Sequence, residues 1–363
     1  MSELSSRYAR VIVASESTYG TDAVNTILTT ATADIVYQDL RNLEINPMRT
    51  VVEINRVRGS HSGVAHKTLA DHCTVSCEIP LSGWISGDAG EEAPYYNAFL
   101  KAMNLKETVV SATSATYNPA TVAQNGLTIY AYEVNLEDNN SRLTYCTGVR
   151  GNGTLNFALG EEAFISFEGM GIYQSEISAP AAFFNASTGA AALLKNGSTA
   201  VTARSGGGTE VYANKAPIIC TGMTFEVGGT TYDIKSLDLG LNWTTTPKSI
   251  INASSNVRKV LLTRGEGSRI GGSFELLDGD QISDMITKMS ADTEATMSIV
   301  LVEGDGSTGS ATITISLPKI QLGPPTKGDD SGMRTYSVPF FANGTWTSLP
   351  ADNDFTIVYG EVT

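Results

Sequence analysis

The sequence predicts a mainly β protein made of two tandem copies of one small β-rich unit, each with one α-helix. Alternation of apolar and polar residues, typical of half-buried strands, dominates the chain. Two segments alone have the apolar spacing of a helix. Similar segments recur in the same order over about 130 residues, which indicates an internal repeat.

The first strands of the two copies contain Leu43-Glu44-Ile45 and Leu237-Asp238-Leu239, which lie 194 positions apart. The next pair is CEIPLSG (residues 77–83) and FELLDGD (residues 274–280), in which Glu78 and Glu275 are 197 positions apart. Within residues 74–81, alternation places Cys77 on one face and Glu78 on the other. Glu44, Glu78, Asp238 and Glu275 are therefore predicted to lie on the polar faces of equivalent strands.

The predicted helices follow these strands at residues 93–105 and 281–289. Each has an apolar stripe that could cover one β-layer. The stripes consist of Tyr95, Phe99, Ala102 and Met103 in the first copy, and of Ile282, Met285, Ile286 and Met289 in the second.

Three further strand-like segments follow each helix. LTIYAYEV (127–134) corresponds to TMSIVLVE (296–303), GTLNFAL (153–159) to ITISLPKIQL (313–322), and EAFISFEGMG (162–171) to RTYSVPFFANG (334–344). We therefore predict a first domain over residues 1–180 and a second over residues 215–363. Residues 181–214 between them are predicted to be a linker or an inserted surface loop.

Each copy also contains a long segment between its first two strands, at residues 46–72 and 240–270. Such long connections are uncommon unless they are functional, and we predict projecting hairpin arms. Their arginines are candidates for docking on acidic neighbouring surfaces. These arginines are Arg49, Arg56 and Arg58 in the first arm and Arg258, Arg264 and Arg269 in the second.

The net charge of −14, from 38 acidic and 24 basic residues, argues against tight binding to nucleic acid phosphates. Four cysteines without a CxxC pair indicate reduced thiols, and no apolar run is long enough for a signal peptide or a membrane span. We therefore expect synthesis and assembly in the cytoplasm, without a membrane partner.

The sequence provides no catalytic pattern, so we predict that the protein is not an enzyme. The three histidines, His61, His66 and His72, lie near Cys73 and Cys77, but the two cysteines would be ~13 Å apart on one strand, too far for one zinc ion. The GVRGNG segment (148–153) lacks the context of a phosphate loop and favours a bend or bulge in a strand. No metal or cofactor is expected.

Several segments together resemble the major tail tube proteins of bacteriophages with long, non-contractile tails. The resemblance is distributed over about 300 of the 363 residues and consists of strand patterns in a fixed order. The segments are ESTYGTDAV (16–24), CEIPLSGW (77–84), PYYNAFLKAMNL (94–105), residues 143–173, SLDLG (236–240), residues 260–278 and residues 315–342.

This resemblance implies two tandem β-sandwich domains, each flanked by one helix, whose inner strands join those of neighbouring copies into the wall of a tube. A doubled chain would form a ring of three with pseudo-sixfold symmetry, and rings would stack through the arms. Glu44, Glu78, Asp238 and Glu275 would face a channel that conducts genomic DNA without binding it tightly; the alternative is that they face outer solvent.

The implied protein is a structural component of the virion tail, with tape measure, tail terminator and distal tail proteins as further partners. The competing hypothesis is a receptor- or carbohydrate-binding β-protein of a tail fibre or adhesin. That class favours aromatic residues clustered in loops, whereas Trp84, Trp243 and Trp346 are spread along the chain. A β-rich hydrolase is a second alternative and lacks a catalytic constellation.

Overall fold

The computed structural model describes residues 10–29, 35–52, 67–83, 93–110, 113–120, 126–134, 141–179, 193–195, 199–201, 210–212, 217–248, 259–264, 269–277, 280–290, 294–303, 310–344 and 354–361. The helices are α1 (Ala23–Thr29), α2 (Asn97–Ala102) and α3 (Asp280–Ser290). The strands of the first half are β1 (Arg10–Ser15), β2 (Ile35–Tyr37), β3 (Arg41–Val52), β4 (Lys67–Pro80), β5 (Leu105–Val110), β6 (Ser114–Pro119), β7 (Leu127–Val134), β8 (Ser141–Ala158) and β9 (Phe164–Ala179). Those that follow are β10 (Leu193–Lys195), β11 (Thr199–Val201), β12 (Glu210–Tyr212), β13 (Thr224–Val227), β14 (Thr230–Thr231), β15 (Ile234–Gly240), β16 (Thr244–Lys248), β17 (Lys259–Thr263), β18 (Gly271–Leu277), β19 (Ala295–Val302), β20 (Ala311–Leu322), β21 (Thr326–Asp330), β22 (Met333–Ala342) and β23 (Thr356–Glu361).

The protein is mainly β, as the sequence predicts. Among the described residues, nineteen strands are connected by hydrogen bonding, and the β10–β11 and β16–β17 hairpins form separate two-stranded sheets. The large sheet crosses between the predicted domains where β8 pairs with β15 and where β6 pairs with β23. Sheet membership therefore does not separate the two domains, and their division at residues 181–214 stays a prediction.

Both halves of the chain have the same order of antiparallel pairing. The order is β3–β4–β9–β8–β7–β1 in the first half and β15–β18–β22–β20–β19–β13 in the second. The β7–β8 and β19–β20 pairs also have a register shift at corresponding places, at Leu127/Ile129 and at Ala295/Met297. Duplication of one unit would produce this correspondence.

The register agrees with the match made in the sequence for the four carboxylates. The match of GTLNFAL (153–159) to residues 313–322 is wrong, because the pairing makes this segment equivalent to β21. Glu44 lies opposite Ser76, and Asp238 lies opposite Ser273. On the second edge of β4, Glu78 lies opposite Ser166 of β9. On the second edge of β18, Glu275 lies opposite Ser337 of β22. The paired carboxylates thus occupy equivalent positions in the two halves.

The apolar side chains of both halves form one continuous core, with members on β4, β9, β15, β18 and β22. In the first half, the ring of Phe99 on α2 packs edge-on against Phe167 on β9, with 5.2 Å between the ring centroids. In the second half, Phe225 on β13 packs against Phe274 on β18 at 4.9 Å. A helix thus covers the core in the first half, and in the second half two strands that do not pair with each other face each other across it, as in a sandwich.

The helices differ from the prediction in number and length. Helix α2 spans only Asn97–Ala102, although Phe99, Ala102 and Met103 are buried as expected. In α3, Ile282 and Met285 are buried, but Ile286 is 42% exposed.

The prediction of a single helix in the first half is wrong, because α1 forms a second one. Asp22 accepts a hydrogen bond from the backbone N–H of Asn25 at 2.8 Å, which caps the start of α1. Val24 and Leu28 pack in a second core cluster with Tyr130, Tyr132 and other side chains on the far side of β1.

Candidate assembly surface

Eight strands form one uninterrupted run through both halves of the protein. Their order is β3–β4–β9–β8–β15–β18–β22–β21, and every pairing is antiparallel. We call this run the eight-stranded sheet. One of its faces is the core face, and the buried residues there include Val75, Ile79, Ile165, Phe167, Leu155, Phe157, Leu237, Leu239, Phe274, Leu276 and Val338.

The other face of the eight-stranded sheet is polar and contains all four predicted carboxylates. Glu44 and Asp238 are exposed, and Glu78 and Glu275 are half-buried. Alternation in the sequence identified these residues because each follows or precedes a core residue on its strand. The structure brings them onto one continuous surface, which we call the acidic face.

Two further carboxylates lie on the acidic face and were not predicted from the sequence. Glu168 is exposed and lies opposite Ser76 on β4, and Asp330 is half-buried at the end of β21. Glu168 belongs to FISFEG, whose alternation also indicated the polar face, so its position could have been predicted. Asp330 lies in a Gly-Asp-Asp segment without alternation, and its place depends on tertiary pairing.

Two basic residues form ion pairs with carboxylates at the rim of the eight-stranded sheet where β3 and β15 begin. The Nζ of Lys235 lies 2.8 Å from a carboxylate oxygen of Asp330 and 4.0 Å from one of Glu275. The hydrogen bond from Lys235 lowers the pKa of Asp330 below its ordinary value. Arg41, at the corresponding place on β3, forms an ion pair with Glu162.

The β8–β15 pairing joins the two halves in the middle of the eight-stranded sheet. Asp238 lies opposite Asn156, and Gly240 lies opposite Thr154. On the core face of this joint, Leu239 meets Leu155 and Leu237 meets Phe157, and all four side chains are at most 2% exposed. The joint is therefore fully covered on one face and polar on the other.

The two ends of the eight-stranded sheet are open edges. Within the described residues, β3 pairs only with β4, and β21 pairs only with β22. The residues of β21 from Thr326 to Asp329 are exposed, as are Glu44 and Asn46 on β3. Unpaired strand edges of this kind are templates for pairing with another chain.

The two open edges are equivalent to the two strands of the internal joint. Thr154 and Thr326 occupy equivalent positions in the two halves. Thr154 lies opposite Ser166, which lies opposite Glu78 on its other side. Thr326 lies opposite Ser337, which lies opposite Glu275 in the same way. Strand β21 thus corresponds to the end of β8, and β3 corresponds to β15. Each edge carries half of a joint that the chain already makes internally.

Both predicted arms begin at the same rim of the eight-stranded sheet. Because neighbouring strands alternate in direction, β3 and β15 run parallel to each other, and the arm follows each of them. The first arm continues as paired strands to Val52 and Lys67, and the second forms the β16–β17 hairpin. The described parts of both arms are therefore hairpins, and their projection from the protein stays a prediction.

The predicted docking arginines do not form one group. Arg56, Arg58 and Arg258 lie outside the described residues, and of Arg49 only the backbone is described, on β3 opposite Ala70. The guanidinium of Arg264 lies 2.7 Å from the Asp354 carboxylate and 4.3 Å from the ring centroid of Trp243. Arg269 donates to Asn343 at 2.9 Å. Arg264 and Arg269 therefore hold the root of the second arm.

The root of the second arm is also fixed to the first half of the chain. Buried Arg150 donates to the Val260 carbonyl at 3.1 Å and lies 4.5 Å from the ring centroid of Tyr19. The Tyr19 hydroxyl accepts a hydrogen bond from the Val260 N–H at 2.7 Å. Asn152 accepts one from the Trp243 N–H at 2.9 Å. These contacts set the direction in which the hairpin leaves the sheet.

The GVRGNG segment that contains Arg150 is an irregular part of β8 and not a phosphate loop. The register with β9 shifts between Thr147 and Arg150, and Gly148 has a φ of +62°. A Cβ at Gly153 would lie 2.1 Å from the Met103 sulfur, so a larger residue there would have to displace the Met103 side chain. The interpretation of this segment as a strand bulge is confirmed.

Apolar side chains are exposed at the rim opposite the arms. Leu159 (68% exposed) follows β8, Leu277 (42%) ends β18 and Met333 (58%) begins β22. Ile219 (51%) forms an isolated bridge with Glu162 nearby. Scattered exposed apolar residues need no explanation, but these four lie at one end of the sheet.

The described residues contain no cluster of three or more side chains able to hold a metal ion. His72 is half-buried opposite Met48, while His61 and His66 lie outside the described ranges. No helix in the described part of the chain is long and apolar enough to cross a membrane. No protein-family model matches this chain, and no curated protein matches it either.

Proposed function

We propose that this chain is a structural virion protein that assembles into the hollow tail tube of a bacteriophage, through which DNA leaves the capsid. The observation that carries the proposal is the eight-stranded sheet, whose two open edges are equivalent to the strands of its internal β8–β15 joint. Edges of this kind can pair head to tail, and heterologous contacts close into a ring when the rotation allows.

The internal joint defines how two copies would pair. Repeating its register places Asn46 of one copy opposite Thr326 of the next, as Gly240 lies opposite Thr154 within the chain. It likewise places Glu44 opposite Gly328, as Asp238 lies opposite Asn156. The acidic face then continues without interruption from one copy to the next.

The size of such a ring suits the proposed task. Three copies would contribute about 24 strands, and at about 4.8 Å per strand and a tilt near 40° the backbone wall would be roughly 48 Å across. That width accommodates duplex DNA and the side chains that line the wall. Exposed Glu44, Glu168 and Asp238 would face the DNA and repel its phosphates over about 8–10 Å.

Stacking of rings would use the two rims. The arms leave from one rim, and the exposed Leu159, Ile219, Leu277 and Met333 lie at the other. In a stack, the arms of one ring would reach the apolar rim of the next. Tape measure, tail terminator and distal tail proteins remain proposed partners through the resemblance in the sequence.

The alternative, a carbohydrate- or receptor-binding module, has no specific support in the described residues. Trp243 is half-buried beneath Arg264, and Trp84 and Trp346 lie outside the described ranges. Phe341, 48% exposed, lies on the polar side of β22 and not in a loop.

Covalent capture combined with microscopy tests the proposal. The variant Asn46→Cys/Thr326→Cys places two exposed thiols opposite each other only between copies, at a separation that a disulfide can bridge. The four native cysteines are buried and free. Mild oxidation should produce covalent species up to a closed trimer, and negative-stain images should show rings or hollow tubes.

The matched control is Glu44→Cys/Thr326→Cys, which joins two exposed positions that are out of register by two residues, and it should crosslink much less. Discrete monomers at all concentrations, or equal crosslinking of both variants, would contradict the proposal.

A further inference from the structure

We infer that Lys327 and Asp329 weaken the open edge of β21, so that pairing between copies starts only above a threshold concentration. The partner in this inference is a second copy of the chain, so the inference rests on the proposed function. The inference goes beyond that function because it identifies two residues that determine how strongly β21 of one copy pairs with β3 of the next.

Lys327 and Asp329 lie on the core side of β21. Lys327 lies opposite Tyr336 of β22, which is buried. Asp329 lies opposite Arg334, which is also on β22. Directly opposed residues of an antiparallel pair lie on the same face of the sheet. The side chains of Lys327 and Asp329 therefore point to the side that is apolar in the rest of the sheet, whereas Asp330 lies on the acidic face.

At the internal joint, the corresponding positions are Leu155 and Phe157. Both are 2% exposed and lie opposite Leu239 and Leu237. The joint within the chain is thus closed by four apolar side chains, which exclude water from that side.

The partner edge, β3, has retained the apolar half of this joint. Leu43 and Ile45 correspond to Leu237 and Leu239, but they are only half-buried because the edge beside them is open. In the register of the internal joint, Ile45 would meet Lys327 and Leu43 would meet Asp329. Pairing would then move a cation and an anion from water towards an apolar surface, which costs free energy.

The joint between copies is therefore weaker than the joint within the chain. Charged side chains on an edge strand are a common protection against uncontrolled pairing. Lys327 and Asp329 do not block the backbone hydrogen bonds of β21, but they make one β3–β21 pairing between two free copies unstable. A ring, in which every edge is paired, is favoured over short open chains.

The test replaces the two charged residues with those of the internal joint. Lys327→Leu/Asp329→Phe should lower the concentration at which oligomers form by at least tenfold, measured by sedimentation velocity over a dilution series. The control variant is Lys106→Leu/Thr108→Phe, which places the same two residues at the same spacing on β5, another strand with one described partner. This control should leave the threshold unchanged.

Oligomers of the β21 variant must also be captured by the Asn46→Cys/Thr326→Cys pair and not by the out-of-register pair. An unchanged or higher threshold, an equal decrease in the β5 control, or oligomers that the in-register pair does not capture would each overturn the inference.

The two proposals can fail separately. Wild-type and variant tubes with the same threshold would overturn the inference and leave the proposed function. In-register oligomers that are strengthened by the substitutions but never form a hollow tube would contradict the proposed function and leave the inference.

Discussion

Carboxylates in this protein act in two environments, and burial distinguishes them. Glu16 is 3% exposed and accepts hydrogen bonds from the N–H groups of Gly20 (2.6 Å) and Gly148 and from the Thr128 hydroxyl (3.0 Å). Burial raises the pKa of Glu16 above its ordinary value despite these donors. Glu16 connects the loop before α1 to the bulge in β8. Glu44 and Asp238, in contrast, are exposed on the acidic face, where Glu44 accepts a hydrogen bond from the neighbouring Asn46 amide at 3.3 Å.

The first prediction concerns the acidic face. Changing Glu44, Glu78, Asp238 and Glu275 to Lys should alter the free energy of unfolding by no more than about 0.5 kcal/mol at each exposed position. Glu275 will contribute most, because its neighbour Lys235 would then face a like charge. Assembled particles should eject DNA slowly or incompletely, since cations in the channel attract phosphate, and added salt should relieve the defect.

Ejection rates measured by fluorescence of released DNA would check this prediction. The matched control changes the same four residues to Gln, which removes charge without reversing it and should have a smaller effect. Ejection at the normal rate by the Lys variant would show that the acidic face serves solubility and not conduction.

At the residue level, the sequence predicted what alternation determines and missed what distant contacts determine. The facing of Cys77 and Glu78 follows from a period of two along one strand. The pairing of Arg264 with Asp354 joins residues 90 positions apart, and no local pattern indicates it. Helix α1 had a local signal in the capping residue Asp22 and in the i, i+4 apolar pair Val24 and Leu28. One such pair is a weaker signal than the longer alternation of the strands around it.

At the level of elements, α3 is held to the sheet by a polar triad in addition to its apolar stripe. The Lys288 ammonium donates to the Asp284 carboxylate at 2.8 Å and to the Tyr232 hydroxyl, which in turn donates to Asp284. The hydrogen bond from Lys288, followed by that from Tyr232, lowers the pKa of Asp284 below its ordinary value of 3.8.

The second prediction is an acid dependence of this helix. A carboxyl group with a lowered pKa stabilises the folded state above its ordinary pKa, and that contribution is lost as the pH falls through the lowered value. The wild type should therefore lose more stability than Asp284→Asn as the pH falls through the range below 3.8. Thermal melting of both proteins across this range measures the difference, and parallel curves would contradict the role of the triad.

The third prediction concerns the arms. Replacing the tips at 53–66 and 249–258 with short Asn-Gly turns leaves the described hairpin strands intact and retains the root contacts of Arg150 and Tyr19 with Val260. The variant should be soluble and folded and should form rings, but it should not form stacked tubes. Circular dichroism checks the fold, and electron microscopy checks the assembly. Tubes of normal length from this variant would exclude the arms as the stacking contact.

At the level of the whole molecule, the C-terminal strand makes the two halves interdependent. Strand β23 pairs with β20 on one side and with β6 on the other. Tyr359 is fully buried, hydrogen-bonds to Tyr96 at 2.9 Å and packs edge-on against Tyr117 with 5.6 Å between centroids. The first half therefore completes its core with residues from the end of the chain.

The fourth prediction follows from this contact. Tyr359→Ala should destabilise the protein by about 3–5 kcal/mol through loss of a buried ring, whereas Tyr359→Phe should cost about 1 kcal/mol through loss of the hydrogen bond. Hydrogen exchange should become faster in both β5 and β20 of the Ala variant. A change confined to β20 would show that the halves are stabilised separately.

The order of the elements and their duplication could be predicted from the sequence because each strand carries its own alternation. The connection between the halves could not be predicted. The alternation in β8, β15, β6 and β23 indicates that each is a strand, but it does not indicate which strand each one pairs with. The open edges at β3 and β21 likewise emerge only when every other strand has found its neighbours.

The internal β8–β15 joint has a consequence for the entropy of assembly. In the proposed ring of three, every second joint is already made within a covalently continuous chain, so fewer independent bodies lose their translational and rotational freedom. Each association step that is avoided spares at least roughly 4 kcal/mol. The two strands of the internal joint meet at the high effective concentration set by their tether and not at the concentration of free protein in solution. The remaining contacts can consequently be individually weak and reversible, which lets a wrongly placed subunit dissociate before the ring closes around it.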